Sequence, residues 1–402
     1  MICHIDADSF FASVLQRKDP RLRGCPLLAL GMGGGMVIAA SYEAKAKGVK
    51  TGMLLREAKR LCPEALALPS DFAETGVASR QIESLLRNVA PVVEQMSIDE
   101  WFLDLRTLPG GLPSDCAAWA GRMKEDIQRA TDISVSLGVA PTKTLAKMAS
   151  EYRKPGGITV VRECAPHGLG IDIAAFLKSR PAAAIPGIGH RRQIHAQKHG
   201  WKSAWDIANT DPETIVHLFG RPGHELQQEL QGQLIYPVME DNRPPKSVSR
   251  CRSFRAEQQE IMLWAHAVEH MQRLIMRMRQ HRLATCAIGV WLRTSSPFSY
   301  AESSVRLPQP YDTEEHIAPY LKQCFAEAYR KGQSYTQLGA VCTALVPKGA
   351  LQLSFFDDPQ TMEESQKLQE SLDDIRSKFG KTAITKASAL PLQRKYCMDN
   401  VG

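Results

Sequence analysis

Asp99 and Glu100 stand side by side in "QMSIDEWFLDL", Gln95 to Leu105, a run that is otherwise apolar and β-prone. Burying two carboxylates among Ile98, Trp101, Phe102, Leu103 and Leu105 is costly unless a cation neutralises them. A third carboxylate, Asp6, ends the apolar stretch of "HIDADSFF". His4, Asp6 and Asp8 alternate, so in a strand they share one side. If that strand lies beside a hairpin around "SIDE", Asp6, Asp99 and Glu100 converge. Adjacent strand residues face opposite ways, so a turn over Ser97 to Glu100 is needed to bring the last two to one site. Three oxygen ligands without a His/Cys cluster select Mg²⁺ or Mn²⁺ over zinc. A pair of such ions serves phosphoryl transfer, one lowering the pKa of an attacking hydroxyl and the other steadying the leaving oxygens. The same residues also fit a surface Asp6 and a turn capped by Asp99 and Glu100.

A phosphate side is also present. In "SYEAKAKGVKTGM", Tyr42 and Lys45 are i, i+3 neighbours on a helix, with Lys47 and Lys50 close by. A phenol and an ammonium so placed could hold a triphosphate. Arg153 and Lys154, ahead of the Pro-Gly-Gly turn in "SEYRKPGG", form a second basic point. Each group also reads as a solvated helix face. Phe10 and Phe11 follow the acids directly. Phe10 is expected in the core beside the site. Phe11, if it faces the site, stacks beneath a sugar and leaves no room for a 2′-hydroxyl.

These groups need a scaffold, and the chain supplies one. Its 402 residues are enough for two to four domains, and 44% apolar residues are enough for real cores. Ten cysteines show no CxxC pair, which argues for a reducing compartment rather than a zinc or disulfide framework. No apolar run is long enough to span a membrane, and "MICHIDADSFFA" is not a signal peptide, so a cytoplasmic protein is expected. Strands and helices alternate through "ISVSLGVA", predicting an α/β sandwich with a mixed sheet and a hairpin over "VVEQMSIDEWFLDL". From Ala174 to about Val238 only helices and turns are expected. After "EDNRPPKS", a second α/β unit reads strand, helix, strand, helix, strand over about 247–347. The net charge of +7 is concentrated there, with ten Lys/Arg against four acids from Lys246 to Arg306. Such a segment suits a polyanion partner as well as a solvated basic face.

Read together, "HIDADSFFASV", "VIAASYEAKAKGVKTGM", "SIDEWFLDL", "LGVAPTKTLAKMASEYRKPGG" and "IPGIG" resemble, in order and spacing, the Y-family translesion DNA polymerases. The similarity runs from Met1 to about Pro359. "VSRCRSF", "RTSSPF" and "LQLSFFDD" favour the UmuC branch, the catalytic subunit of DNA polymerase V, over the DinB branch. The resemblance implies a multidomain α/β right hand. It has a ferredoxin-like palm (1–10 and 72–164), small fingers (11–71) and an all-helical thumb with a helix-hairpin-helix (165–238). A linker (239–246), an α/β little finger (247–347) and a C-terminal tail (348–402) follow. It further implies that Asp6, Asp99 and Glu100 hold two Mg²⁺ ions, Mn²⁺ substituting, with the carbonyl of Ala7 assisting. It places Phe10 and Phe11 on the nucleotide side, Phe11 at the gate against ribonucleotides, and Tyr42, Lys45 and Lys154 at the triphosphate. The pattern is not followed throughout. Lys45 stands where DinB-like members usually carry Arg, replacing a bidentate fork by a point charge. Ala39 replaces a hydroxyl residue, and UmuC itself lacks the tyrosine found here as Tyr42.

DNA and partner contacts complete the expectation. In "IPGIGHRRQIHAQK", Gly187, Ile188 and Gly189 form a hairpin whose backbone can approach a phosphate, with charge from Arg191 and Arg192. Arg250, Arg252 and Arg293 are expected on strands of the second unit, lining one face that tracks a DNA backbone. Gln352, Leu353, Phe355 and Phe356 of "QLSFF" resemble a sliding-clamp peptide. A UmuD-type dimer and a RecA filament are further partners by resemblance. The expected function is template-directed DNA synthesis past damage in a bacterial SOS response, associated with the nucleoid during repair. A catalytically inactive scaffold that recruits other polymerases, and a nucleotide cyclase or nuclease on a similar palm, are the alternatives.

Overall fold

The alternation in "ICHIDA" becomes strand β1 (Ile2–Ala7), in the middle of a six-stranded sheet. The computed structural model describes residues 1–163, 170–240, 244–295, 297–348, 359–380 and 382–392. The chain forms two units, Met1–Asn242 and Arg243–Gly402. Among the described residues no helix is long and apolar enough to cross a membrane.

In the first unit, α1 (Phe10–Lys18) follows β1. Next come β2 (Leu27–Leu30), β3 (Val37–Ala40), α2 (Tyr42–Ala46), α3 (Leu55–Leu61) and β4 (Leu66–Pro69), the strands pairing in the order β3-β2-β4. Helix α4 (Phe72–Val89) starts where Asp71 accepts from the backbone N–H of Glu74, an N-cap that satisfies an otherwise orphan donor. It leads into the expected hairpin, β5 (Val93–Gln95) and β6 (Glu100–Asp104), with Asp99 in the connecting turn. Then come α5 (Cys116–Thr131), β7 (Val135–Ala140), α6 (Lys143–Ser150), β8 (Ile158–Arg162) and β9 (Ile171–Asp172), and the sheet order is β5-β6-β1-β7-β8-β9. The helical stretch expected from Ala174 is present as α7 (Ile173–Ser179), α8 (His190–Lys198), α9 (Ala204–Ala208) and α10 (Pro212–Leu230).

Strand β1 is buried on both faces. Cys3, Ile5 and Ala7 join a core with Ile82, Leu86, Trp101 and Ile127. His4 and Asp6 point the other way, toward α6. That helix can lie on the sheet because position 138 of β7 is glycine. A Cβ there would stand 2.1 Å from the carbonyl oxygen of Ala146 and 2.3 Å from the N–H nitrogen of Ser150. The close approach brings the Ser150 hydroxyl 2.7 Å from His4 Nδ1 and sets the lysines of α6 over the hairpin.

The second unit contains β10 (Val248–Glu257), α11 (Glu260–Gln280), β11 (Leu283–Thr294), β12 (Tyr300–Tyr311), α12 (Glu314–Ala328) and β13 (Tyr335–Pro347), with strand order β10-β13-β11-β12. The sequence reading lacked β12. It is an edge strand whose one face is polar and exposed at Glu302, Ser304 and Arg306, so its apolar signal is weak. The tail contains a further helix, α13 (Pro359–Phe379). Its buried side chains are held by polar contacts: Arg376 donates to Glu314 at 2.6 Å, Gln369 accepts from the N–H of Glu314 at 3.1 Å, and Asp373 meets Arg279 at 2.5 Å. The clamp-like residues Gln352, Leu353, Phe355 and Phe356 lie outside the described residues.

Candidate active site

Register brings the carboxylates together. Asp6 of β1 pairs directly with Glu100 of β6, so their side chains share the face covered by α6. The N–H of Ala7 donates to the carbonyl of Asp99 at 2.9 Å, fixing the turn against the end of β1. Glu100 receives the Lys147 ammonium, and His4 Nε2 lies 3.6 Å away. The imidazole of His4 and then Lys147 hold the Glu100 carboxyl down at about 2, against the effect of burial. Burial pushes the His4 imidazole below its ordinary range. Asp6 is 5% exposed, and burial raises its carboxyl to about 7 although Lys154 donates to it at 2.6 Å. Burial works against the charge of Lys154 itself, but Asp6 and Glu151, the latter at 2.7 Å, outweigh it and hold the ammonium above the usual lysine range.

The donor set is hard oxygen, and Asp6 and Glu100 each already hold a cationic partner in Lys154 and Lys147. These are the groups a divalent ion would use in place of an ammonium. Asp99 is half-buried, and its carboxylate accepts from Ser97 Oγ at 2.5 Å. With Asp99 turned to Ser97 and Glu100 to Lys147, no three His, Cys, Asp or Glu side chains among the described residues surround one point. The residues fit the ion in type: Asp6 and Glu100 share one face, while Asp99 is turned to Ser97.

The phosphate-side residues assemble on the same segment. Tyr42 donates its phenol to Asp8 at 3.2 Å, and Lys45 donates to Ser9 Oγ at 2.8 Å while lying 4.5 Å from the centre of the Tyr42 ring. Burial and then Asp8 raise the phenol above its ordinary range; burial and then Lys154 lower the Lys45 ammonium. Phe10 is buried in the core as expected. Phe11 is half-buried, edge-on to Phe72 with centroids 5.7 Å apart. Two groups were missed by the sequence reading. Lys147 was not singled out, although Lys143 and Lys147 are four apart on one helix and meet Glu94 and Glu100 of the hairpin. Asp8 was noted only for its side of the strand, yet it gathers four hydrogen bonds.

The hairpin glycines lie where "IPGIG" placed them. Gly187 has φ +89°, a conformation that needs glycine, and Ile188 is buried. Gly189 caps α8, and a Cβ there would meet nothing within 4 Å, so its backbone faces open space. Arg191 is exposed, while Arg192 donates back to the Gly187 carbonyl. In the second unit the expectation of a single arginine face is corrected. Arg250 and Arg252 are register partners of Ala340 and Leu338, on the face covered by α11 and α12. Arg293 pairs with Gln337 and Tyr300, on the opposite face, where its guanidinium lies 5.4 Å from the exposed Phe298 ring.

Residues 5–151 match the impB/mucB/samB family, and residues 245–355 match the impB/mucB/samB family C-terminal domain. A DNA polymerase IV of Moorella thermoacetica is 31% identical over 394 residues, covering 96% of this chain and 95% of that protein. The chain belongs to the Y family of DNA polymerases. A DNA polymerase IV of Caulobacter vibrioides is 28% identical over 397 residues, 97% of this chain and 94% of the relative. A solved chimera built on the Y-family polymerase Dbh superposes with a TM-score of 0.72 at 23% identity, covering 86% of this chain and 99% of that one. An insertion ternary complex of Dbh gives 0.61 at 22% identity over the same shares. The fold is therefore the Y-family right hand, with palm, fingers, helical thumb and little finger.

Proposed function

We propose that this Y-family polymerase extends a DNA primer across damaged template, with low fidelity and low processivity, in the DNA damage response. The observation that carries this reading is the convergence of Tyr42, Lys45 and Lys154 on the segment Asp6 to Ser9, beside Glu100. The phenol and the two ammonium groups bind the triphosphate of a deoxynucleotide, and Phe11 closes the floor beneath the sugar. Asp6, Asp99, Glu100 and the carbonyl of Ala7 would hold two Mg²⁺ ions, which supply charge neutralisation at the reacting phosphate and a more acidic primer hydroxyl. Binding both substrates in line lowers the entropic part of the barrier.

Primer-template DNA is the partner of Gly187, Ile188, Gly189 and Arg191, through phosphates rather than bases. Arg293, beside Phe298, is the second-unit arginine best placed for DNA, while Arg250 and Arg252 lie on the helix-covered face, where Arg250 stands 3.7 Å from Glu269. The proposed boundaries are palm 1–10 and 72–164, fingers 11–71, thumb 165–238 and little finger 247–347. Gln352, Leu353, Phe355 and Phe356 serve a sliding clamp. Placement beside UmuC rests on "VSRCRSF", "RTSSPF" and "LQLSFFDD", whereas the relatives above bear the name DNA polymerase IV.

Primer extension by the purified chain on undamaged and abasic templates, with Mg²⁺ and dNTPs, tests the reading. Extension is expected, and Asp99→Ala/Glu100→Ala should abolish it while DNA affinity stays within about threefold. A double variant that extends as well as the parent would refute the carboxylate assignment. Extension without accessory proteins favours a DNA polymerase IV-like enzyme. Rescue only by clamp, UmuD-type protein and RecA favours the UmuC branch. DNA binding with no rescue at all would leave a scaffold.

A further inference from the structure

Asp8 is 2% exposed and stands outside the proposed ion ligands, yet four donors close on its carboxylate. Ser134 Oγ donates to Oδ2 at 2.7 Å, and the N–H of Gly156 donates to the same oxygen at 2.8 Å. Ser136 Oγ donates to Oδ1 at 2.7 Å, and the Tyr42 phenol reaches Oδ1 at 3.2 Å. The Gly156 N–H is shared with Ser136 Oγ at 3.0 Å. A carboxylate has about four lone-pair sites, so this one is fully used. Its donors come from three separate places: the start of β7, the turn that follows Lys154, and the first residue of α2.

The bonds are unequal. Three are short, and they tie the end of β1 to β7 and to the turn carrying Lys154. The fourth is long for a hydroxyl donor, whose usual distance is about 2.7–2.8 Å. A stretched bond gives up little when its proton moves to a better acceptor. The Lys45 ammonium lies over the same phenol ring, held by Ser9 Oγ.

We propose that Asp8 is a positioning residue for the incoming nucleotide. Its short bonds fix the turn that aims Lys154 at Asp6, and its long bond parks the Tyr42 hydroxyl beside Lys45 until a phosphate oxygen takes that hydrogen bond. This rests on the reading of Tyr42, Lys45 and Lys154 as triphosphate contacts. Asp8 itself does not touch the substrate. Asparagine preserves most of the arrangement, because its carbonyl can accept from Ser134 and Gly156 while its amide faces two hydroxyls. Alanine loses all four bonds.

Steady-state single-nucleotide insertion by the full chain tests this, with KM for dNTP, kcat, DNA Kd and Tm measured together. Asp8→Ala should raise KM by about tenfold or more with DNA Kd unchanged, and Asp8→Asn should recover most of that loss. Asp8→Ala and Tyr42→Phe should be non-additive, the double variant resembling Asp8→Ala alone. A KM within twofold of the parent, a loss confined to kcat and Tm, or full additivity would overturn the proposal. If Asp8→Ala does not fold, the Ser134→Ala/Tyr42→Phe cycle decides by the same criteria, since Ser134 removes one short bond only. Lys154→Ala separates the two levels. Unchanged KM in that variant refutes the triphosphate reading; raised KM there, with Asp8→Ala silent, refutes the role of Asp8 alone.

Discussion

Gly138→Ala should damage this protein far more than a single methyl group suggests. The added Cβ would sit 2.1 Å from the Ala146 carbonyl oxygen, 2.3 Å from the Ser150 nitrogen and 2.9 Å from the Ala149 carbonyl carbon. All three atoms are backbone, so no side chain can swing aside. Reaching an ordinary contact of 3.4 Å from the nearest requires α6 to back off by about 1.3 Å, the difference between 3.4 and 2.1. Overpacking of this kind costs about 1–3 kcal/mol. The shift also breaks the buried His4–Ser150 bond of 2.7 Å, which adds about 1–3 kcal/mol when one partner stays buried. The expected loss is roughly 2–6 kcal/mol, read from urea unfolding of the full chain with the m-value checked. Activity should fall with it, because Lys143 and Lys147 ride on the displaced helix and face Glu94 and Glu100. Gly121→Ala is the control. It lies inside α5, where a Cβ meets only the Ile158 methyl at 4.0 Å, so the same substitution should stabilise by up to about 1 kcal/mol. A Gly138→Ala loss below about 1 kcal/mol, with normal insertion kinetics, would refute the argument that this close approach positions α6.

Further predictions concern both units. Phe11→Ala should admit ribonucleotides, lowering the dNTP preference by about a hundredfold or more in single-nucleotide insertion; unchanged sugar selectivity would reject the gate assignment. Arg376→Met should destabilise the second unit by about 3–5 kcal/mol, because Glu314, 3% exposed, loses a partner at 2.6 Å; Arg376→Met/Glu314→Leu should recover most of it, as judged by hydrogen exchange in α11. Burial, then Arg250 and His266, push the His270 imidazole down to about 3, so it stays neutral in the fold while the unfolded chain protonates it below about pH 6.5. Stability is therefore present above the unfolded value and is lost as pH falls toward the folded one. Amide protection in α11 should drop by roughly 2 kcal/mol from pH 7 to pH 5, and His270→Gln should flatten that slope.

The parts of the site legible in the sequence are those encoded within one short segment. "HIDADSFF" announces a strand ending in acids, and "SIDEWFLDL" announces a turn that hands Asp99 and Glu100 to a buried strand. Tyr42 and Lys45 share a helix turn. None of these needs knowledge of a distant partner. The groups that escaped are those defined by pairing across the chain. Lys147 meets Glu100 over a separation of 47 residues, and Ser136 meets Asp8 over 128. Which lysine of α6 finds which glutamate depends on where Gly138 lets that helix settle. The same logic explains why β12 was missed, since an edge strand with one wet face carries only half of a strand's apolar signal.

The arginines of the second unit make the physical limit plain. Period two correctly puts Arg250 and Arg252 on a common face of β10, because parity within one strand is a local property. Whether Arg293 of β11 joins them depends on register through the intervening strand β13. Arg252 pairs with Leu338, and so does Leu292, which leaves Arg293 on the other side. A shift of one residue between β11 and β13 would have reunited all three. What prevents that shift is the core: Leu292, Val290 and Ile288 fill the space beneath α11 and α12 with Leu338, Ala340 and Cys342. The placement of the charged residues is thus decided by the apolar ones. The count of arginines in the segment therefore does not say which side of the sheet each charge occupies: Arg293 and Tyr300 share the face opposite Arg250 and Arg252.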